Sequence, residues 1–526
     1  MAEKNEYYSE ENLARIKKNI STSYLYFEDN YKRFRDFRRF VFCESVTEDQ
    51  RTMLRRLNRP ATEFNILEAY ISRLLGEFSK HEPSITVSPA EDAPIPVETT
   101  KLIENHIRHV MYDANKNSFA YEIYKDLLSG GFSVAKVWTD YASPMSFDQV
   151  IKWEREFDPT LCGFDPLARS SHKGDGEYSF ALRPMLEDDF KRNFPKIDIA
   201  DMEFTRDIEG FNWTFIDSQD RKTILIGDYY EKKKKAVKIV KLANGVVMPL
   251  KKYKKMQLLW EQEQILEQIP VIVGQPRMTT LETICHYKLM NNEILDYQET
   301  DYTFLPHVFF DGNSIHLTRG PTSTNSYQMT RPYVYHAKGI QELKNFAGQT
   351  ICNHLQTLVQ HKYIVKKEAI PQEKDYISAL TNPQRANTLV VQAFMENDPS
   401  IAIPDPIVPV QQMSAPPEVM QAFSASDPTT QVILGSYASN LGQNDNDLSG
   451  KAVIESASVG NSAAMPYVVG YLAGLNQMAR IQVDLMPKYI LGKRKLPTVD
   501  KAGEKDYQDV NSPGNPHLDY GNHALN

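Results

Sequence analysis

The sequence predicts an α+β, helix-dominated protein of more than one domain. Its 526 residues can bury several cores. Three long stretches, residues 9–78, 338–362 and 467–485, repeat apolar residues every three or four positions, the period of a helix with one buried face. Between them lie short alternating runs bounded by glycine and proline, which read as strands.

Bulk properties exclude several classes. A net charge of −8 with 60 Lys and Arg argues against a surface that grips nucleic acid everywhere, because neutralising phosphates requires a basic face. A nucleic-acid contact must be local or weak. Cys43, Cys162, Cys285 and Cys352 are far apart and form no CxxC pair, which disfavours a zinc site and a disulfide framework. The N-terminus is charged where a signal peptide is apolar, and no run of about 18 apolar residues occurs, so membrane insertion is not expected.

In chain order, Phe27, Tyr31, Phe34 and Phe37 share a helical face among Arg and Lys, the pattern of a core stripe with a solvated flank. An amphipathic helix follows Pro60, and an extended segment lies between Pro83 and Pro89. Residues 101–128 read as one helix, and Gly130-Gly131 turn the chain into a strand with Val134, Lys136 and Trp138 on one face. Residues 223–240 suggest a hairpin arm with Lys232 to Lys235 at a solvated tip; a helix is expected over 253–268 and an apolar strand over 270–274. Residues 280–332 mix short β-like runs with a Gly-, Pro- and Ser-rich loop, a small insert. The helix over 338–362 follows, with Ile340, Leu343, Phe346, Ile351 and Leu355 in register. Prolines punctuate 371–428, where a strand is expected at 388–393 before the extended IAIPDPIVPV segment. A polar loop, 441–448, leads to Ser449, placed to cap a long helix that Pro466 kinks and that ends near Pro487. Beyond it the tail is polar, broken by Pro497, Gly503, Pro513 and Pro516, and little of it could fold alone.

Candidate chemistry is sparse. Asp445, Asp447, Ser449 and Gly450 match the opening of a calcium loop, but the closing Glu should fall on Ser456, and Glu455 is one residue early. Asp165, His172 and Asp175 could be an acid, base and ligand set; in a Gly- and Ser-rich loop they read as turn formers. No phosphate-cradling, nucleophile-elbow or HExxH motif is present, and no cofactor is expected.

Several segments together resemble the portal proteins of tailed double-stranded DNA bacteriophages, of the short-tailed, large-portal type. They are RPATEFNILEAYISRLLGEFSKHEPSITVSP, SGGFSVAKVWTDY, GFDPLARSSHKGDGEYSFA with FKRNFPK, RPYVYHAKGIQELKNF with IVKKEAIP, and DLSGKAVIESASVGN through LMPKYI. They fall in the family's order over residues 59–490, and no single one is diagnostic.

The resemblance implies a portal fold with wing, stem, clip and a crown that is either truncated or reduced, and a dodecameric ring with an axial DNA channel. Carried onto this chain it implies a wing from residues 1–250 and 366–440, a descending stem at 251–277, a clip at 278–332, a returning stem helix at 333–365, a tunnel loop at 441–448, a long wing or crown-side helix at 449–490 and a polar tail at 491–526. Gln443, Asn444, Asp445, Asn446 and Asp447 would face DNA, their amides making exchangeable contacts while the two carboxylates repel phosphate. Asn313, Ser314, His316, Thr318, Arg319 and Thr322 would form the clip surface. Implied partners are further copies of the chain, weakly and non-specifically bound double-stranded DNA, the terminase large subunit, head–tail adaptor or neck proteins and the major capsid protein. The implied location is the capsid vertex of a virion assembled in host cytoplasm, with no catalysis. Family members continue past the point where this sequence ends, which leaves crown-based roles open. The rival reading is a metal-dependent nuclease using Asp165 and Asp175.

Overall fold

The computed structural model describes residues 7–518 except 58, 81–84, 90–94, 198, 200–201, 207–211, 244–246, 252, 255–256, 258–270, 319, 321–325, 360–362, 383–387, 411–415, 436–461, 501–502 and 513–517. The chain opens with helices α1 (Glu10–Phe42), α2 (Glu48–Arg56), α3 (Leu67–Lys80), α4 (Val97–Asn115) and α5 (Phe119–Gly130). Strands β1 (Phe132–Tyr141), β2 (Gln149–Arg155), β3 (Cys162–Phe164) and β4 (Tyr178–Leu186) precede the short α6 (Glu187–Asn193). Next come β5 (Thr214–Ile216), β6 (Lys222–Leu242), β7 (Val247–Pro249), β8 (Ile272–Leu289), β9 (Ile294–Thr300), β10 (His307–Asp311), β11 (Ser314–Thr318) and β12 (Ser326–Thr330). The remainder holds α7 (Lys338–Val359), β13 (Tyr363–Val365), α8 (Lys374–Thr381), β14 (Phe394–Met395), β15 (Asp398–Ala402), β16 (Ile407–Pro409), α9 (Pro417–Ile433), α10 (Met465–Tyr489), β17 (Arg494–Val499) and β18 (Lys505–Val510). Two compact units divide the chain: Met1–Arg35, Leu75–Tyr333 and Met465–Asn526 form the first, Asp36–Leu74 and Val334–Ala464 the second.

Two antiparallel sheets organise the first unit, one ordered β10-β1-β2 and one of seven strands along β3-β4-β6-β8-β9 with β5 and β7 on β6. The aromatic face of α1 is core, as its spacing requires. Ile16 and Ile20 pack with Phe180, Leu225, Tyr229 and Tyr287 of the larger sheet, and Phe27, Tyr31 and Phe34 with Phe132, Phe164 and Phe309. Each such side chain contributes about 1.5–3 kcal/mol by leaving water. At the end of α5, Gly131 sits at φ +96°, the left-handed cap that turns the helix into β1.

Five readings change in this unit. The single helix over 101–128 is two, α4 and α5, separated where Ser118 takes φ 58°. The Lys232–Lys235 run is not at a tip: it lies within β6, paired with Ile284 through Leu281 of β8. Residues 278–311 are no loop-rich insert, since β8 and β9 belong to the larger sheet and β10 pairs with β1. The polar tail contains a hairpin, β17–β18, whose Leu496, Val499 and Val510 are buried. It docks on α4, where the carbonyl of Pro497 lies 2.9 Å from His106 Nδ1 and Val499 O accepts from Arg108 Nη1 at 3.2 Å. The long helix is described from Met465, so Pro466 occupies its first turn, where a missing N–H costs nothing, and does not kink it.

In the second unit, α7 carries buried amides that hold an extended backbone. Asn345 Oδ1 accepts from Phe64 N at 2.9 Å, Gln341 Oε1 accepts from Ile66 N at 3.0 Å, and Gln341 Nε2 donates to Phe64 O at 2.7 Å. Lys344 pairs with Asp427 of α9, and Phe64 meets Phe423 edge-on at 5.2 Å. Residues 388–393, expected as a strand, join no sheet; the pairing strands are β14 with β15 and β13 with β16. Most of the helix expected over 253–268 lies outside the described residues.

Candidate functional site

The candidate clip residues sit on a hairpin with a fixed base. β11 and β12 pair antiparallel from Ser314 opposite Thr330 to Thr318 opposite Ser326. The polar side of α1 grips β12: Asn30 Nδ2 donates to Gln328 O at 2.7 Å, Thr330 N donates to Asn30 Oδ1 at 3.0 Å, and Arg33 Nη1 donates to Thr330 O at 3.0 Å. On the facing strand, Ser314 Oγ accepts from Gln328 Nε2 at 2.9 Å and donates to the Asp311 carboxylate. Burial raises Asp311 above the ordinary aspartate value, against the pull of Ser314 and Lys173. His316 and Thr318 face solvent, and Asn313 and Ser314 are half-buried. Arg319 and Thr322 lie outside the described residues.

Helix α10 clamps the same base. Tyr467 Oη donates to Arg331 O at 2.9 Å, and Gly312 N donates to Gly131 O at 3.0 Å. A Cβ on Gly470 would stand 1.6 Å from Asp311 O, and one on Gly474 2.4 Å from the Phe310 ring, so the helix lies on β10 only because both positions lack one. Gln443, Asn444, Asp445, Asn446 and Asp447, with Ser449, lie outside the described residues.

The remaining candidates are structural groups with their partners in place. Asp165 accepts from the amides of Leu167 and Glu177 at 3.0 Å each, and Asp175 from the amides of Arg169 and Ser170 and the Ser170 hydroxyl. Asp175 falls to about 2: burial works against its charge, but the Ser170 hydroxyl and these amides outweigh it. His172 Nδ1 accepts from Gly174 N at 3.1 Å. Three residues that could be an acid, base and ligand thus build one turn. Among the described residues no group of three His, Cys, Asp or Glu could hold a metal ion. The lysine run is likewise engaged, Lys232 with Gly174 O at 2.9 Å, Lys233 with Tyr287 Oη at 2.7 Å, Lys234 with Glu177 at 2.9 Å and Lys235 with Glu299 at 2.6 Å.

Sequence reasoning missed a charged network between the sheets. Asp228 lies 2.9 Å from His286 Nε2 and 3.9 Å from Lys136 Nζ, and Arg183 holds Glu156 through Nε at 3.2 Å and Nη2 at 2.9 Å. Burial opposes the Asp228 charge, yet the His286 bond and Lys136 hold it well below the ordinary aspartate value. The available signal was Lys136 itself, a cation on the apolar face of a strand between Val134 and Trp138.

The family model of phage P22-like portal proteins matches residues 17–523. The chain belongs to that family. A portal protein of Acyrthosiphon pisum secondary endosymbiont phage 1 is 22% identical over 213 residues, covering 40% of this chain and 29% of that protein. The match thus spans less than a third of the relative's own length. This portal-family chain mixes helices and strands as its sequence predicts, and among the described residues no helix is long and apolar enough to cross a membrane.

Proposed function

We propose that this chain is the portal vertex subunit of a tailed phage, closing with further copies into a ring through which double-stranded DNA is packaged and ejected. The observation that carries the reading is the family match over residues 17–523. The second unit supports it. α7 leaves Leu343, Phe346 and Leu355 exposed by 48, 68 and 55%, and α9 leaves Val432 exposed by 64%, apolar surface on regular helices that suits a neighbouring copy. In this reading α7 is the returning stem helix, and the β11–β12 hairpin, fixed at its base and open at His316 and Thr318, is the clip surface met first by the terminase large subunit and later by head–tail adaptors. Contact with the major capsid protein falls to the wing, residues 1–250 and 366–440. The same reading extends to a twelve-fold ring at the capsid vertex.

A conduit for DNA must hold it weakly, since each neutralised phosphate adds affinity that packaging has to break at every step. A net charge of −8 and the engaged ammonium groups of Lys232 to Lys235 fit that requirement. So does the tunnel loop, with Asp445 and Asp447 among amides. The chain supplies no catalysis in this account: the Asp165 and Asp175 carboxylates are acceptors for their own loop, and nothing favours the nuclease reading. Deleting residues 443–447 is expected to leave rings intact while packaging or retention of DNA in particles falls. Loss of the rings themselves would count against a tunnel loop at that place.

A further inference from the structure

Beside the charged network lies a cavity of about 430 Å³ within the first unit, walled by β1, β2, β4, β6, β8, β9 and the end of α10. Lys136 lines it. This residue is 6% exposed, its ammonium makes no hydrogen bond among the described residues, and its nearest anion, Asp228 Oδ2, is 3.9 Å away, beyond hydrogen-bond reach. The ammonium lies 5.2 Å from the centre of the Tyr230 ring, an attraction weaker than a contact with oxygen. Other buried charges of the unit have contact partners: Asp126 accepts from Arg155 at 2.9 Å and Glu104 from Arg108 at 2.8 Å. A charge this buried, paired only at that distance and opening on a cavity, leaves room for an oxygen ligand at Lys136.

The other walls say which oxygen ligand. Arg183 commits Nε and Nη2 to Glu156 and has the wall carboxylate Glu154 3.7 Å from Nη2, which leaves Nη1 as a donor, and Lys288 adds a second ammonium. Asp228 already answers to His286 at 2.9 Å. Trp138, Tyr302 and Tyr489 also line it, with flat aromatic surface. Lys136, Arg183 and Lys288 line the space together with two carboxylates, Glu154 and Asp228, so the cations outnumber the anions by one and suit a ligand with charged oxygens better than a cation. We propose that this cavity binds a phosphate group on Lys136, with Arg183 and Lys288 as flanking donors, either as free phosphate or carried on a nucleotide whose base rests on the aromatic walls.

Titration calorimetry on the full chain, in a buffer without phosphate, tests this with inorganic phosphate and with deoxyadenosine monophosphate as the two probes. Saturable binding of one probe per chain is expected, weakened about tenfold or more by Lys136→Met and severalfold by Lys288→Met, which keeps the test alive if the buried substitution does not fold. Tighter binding of the nucleotide assigns the aromatic walls to a base, and equal binding assigns the site to free phosphate. Wild-type protein that takes up neither probe at millimolar concentration, or binding unchanged in the folded lysine variants, overturns the proposal. Neither result depends on ring formation.

Discussion

The two units of this chain solve burial differently. In the first, Tyr229, Tyr287, Tyr471, Phe132 and Phe310, among the largest fully buried side chains, pack on the two sheets and the helices α1 and α10, and Phe190 of α6 fills a separate cluster with Ile199, Ile224, Ile226 and Met290. In the second, α7 holds its neighbours through buried amides, Gln341 and Asn345, while Leu343, Phe346 and Leu355 of the same helix face outward. The contrast teaches that the first unit is held by aromatic packing between sheets and helices, and the second by buried amides on a helix, while both leave apolar side chains exposed, Phe147, Phe157 and Leu167 in the first and Phe346 in the second.

Substitutions can break that contrast from either side. Gly470→Val should have the largest effect: its Cβ would meet the Asp311 carbonyl, so α10 must lift off β10, at about 3 kcal/mol or more in a denaturant titration. The matching change in the second unit, Gly339→Ala on α7, meets nothing within 4 Å and should stabilise by about 0.5–1 kcal/mol. Equal destabilisation by both would erase the distinction between the two units. Gln341→Leu comes next, at about 1–3 kcal/mol, because it leaves the Ile66 amide and the Phe64 carbonyl without partners. Phe346→Asp should change the stability of the single chain by no more than about 0.5 kcal/mol, since the ring is 68% exposed, yet it should abolish association in sedimentation velocity. Unaltered assembly in that variant would remove α7 from the interface.

The smallest expected effect depends on pH. Asp175 has its value lowered to about 2 in the folded chain, below the ordinary aspartate value of about 3.9. Its contribution to stability is therefore present above pH about 4 and is lost as pH falls toward about 2, with a small size because the carboxylate is exposed. Asp175→Asn should show a slightly lower melting temperature at pH 6 and converge with wild type near pH 2. A constant offset across that range would mean that the turn does not depend on the charge.

Much of the first unit was legible in the sequence because its signals are local. Phe27, Tyr31 and Phe34 recur at helical spacing, Gly130-Gly131 mark the entry to β1, and Asp165 and Asp175 announce a turn in a loop of small residues. The β6–β8 ribbon was not legible as such, since its second strand contains Gly274 and Pro276 and pairs with residues about fifty positions away. The β17–β18 hairpin was hidden for the same reason: with Pro497 in one strand it looks unable to fold, and it is held by α4, whose sequence is nearly four hundred residues earlier. Of the candidate sites, the clip residues resolve into a hairpin whose base is fixed by Asn30 and Arg33, partners no motif could reveal, and Lys136 shows that a cation out of pattern was the most informative signal passed over.

Negative-stain imaging of the purified chain addresses the central claim most directly. The account predicts closed rings with a central hole, lost in Phe346→Asp while the variant keeps its fold. Wild-type particles that remain single compact bodies at every protein concentration would contradict it.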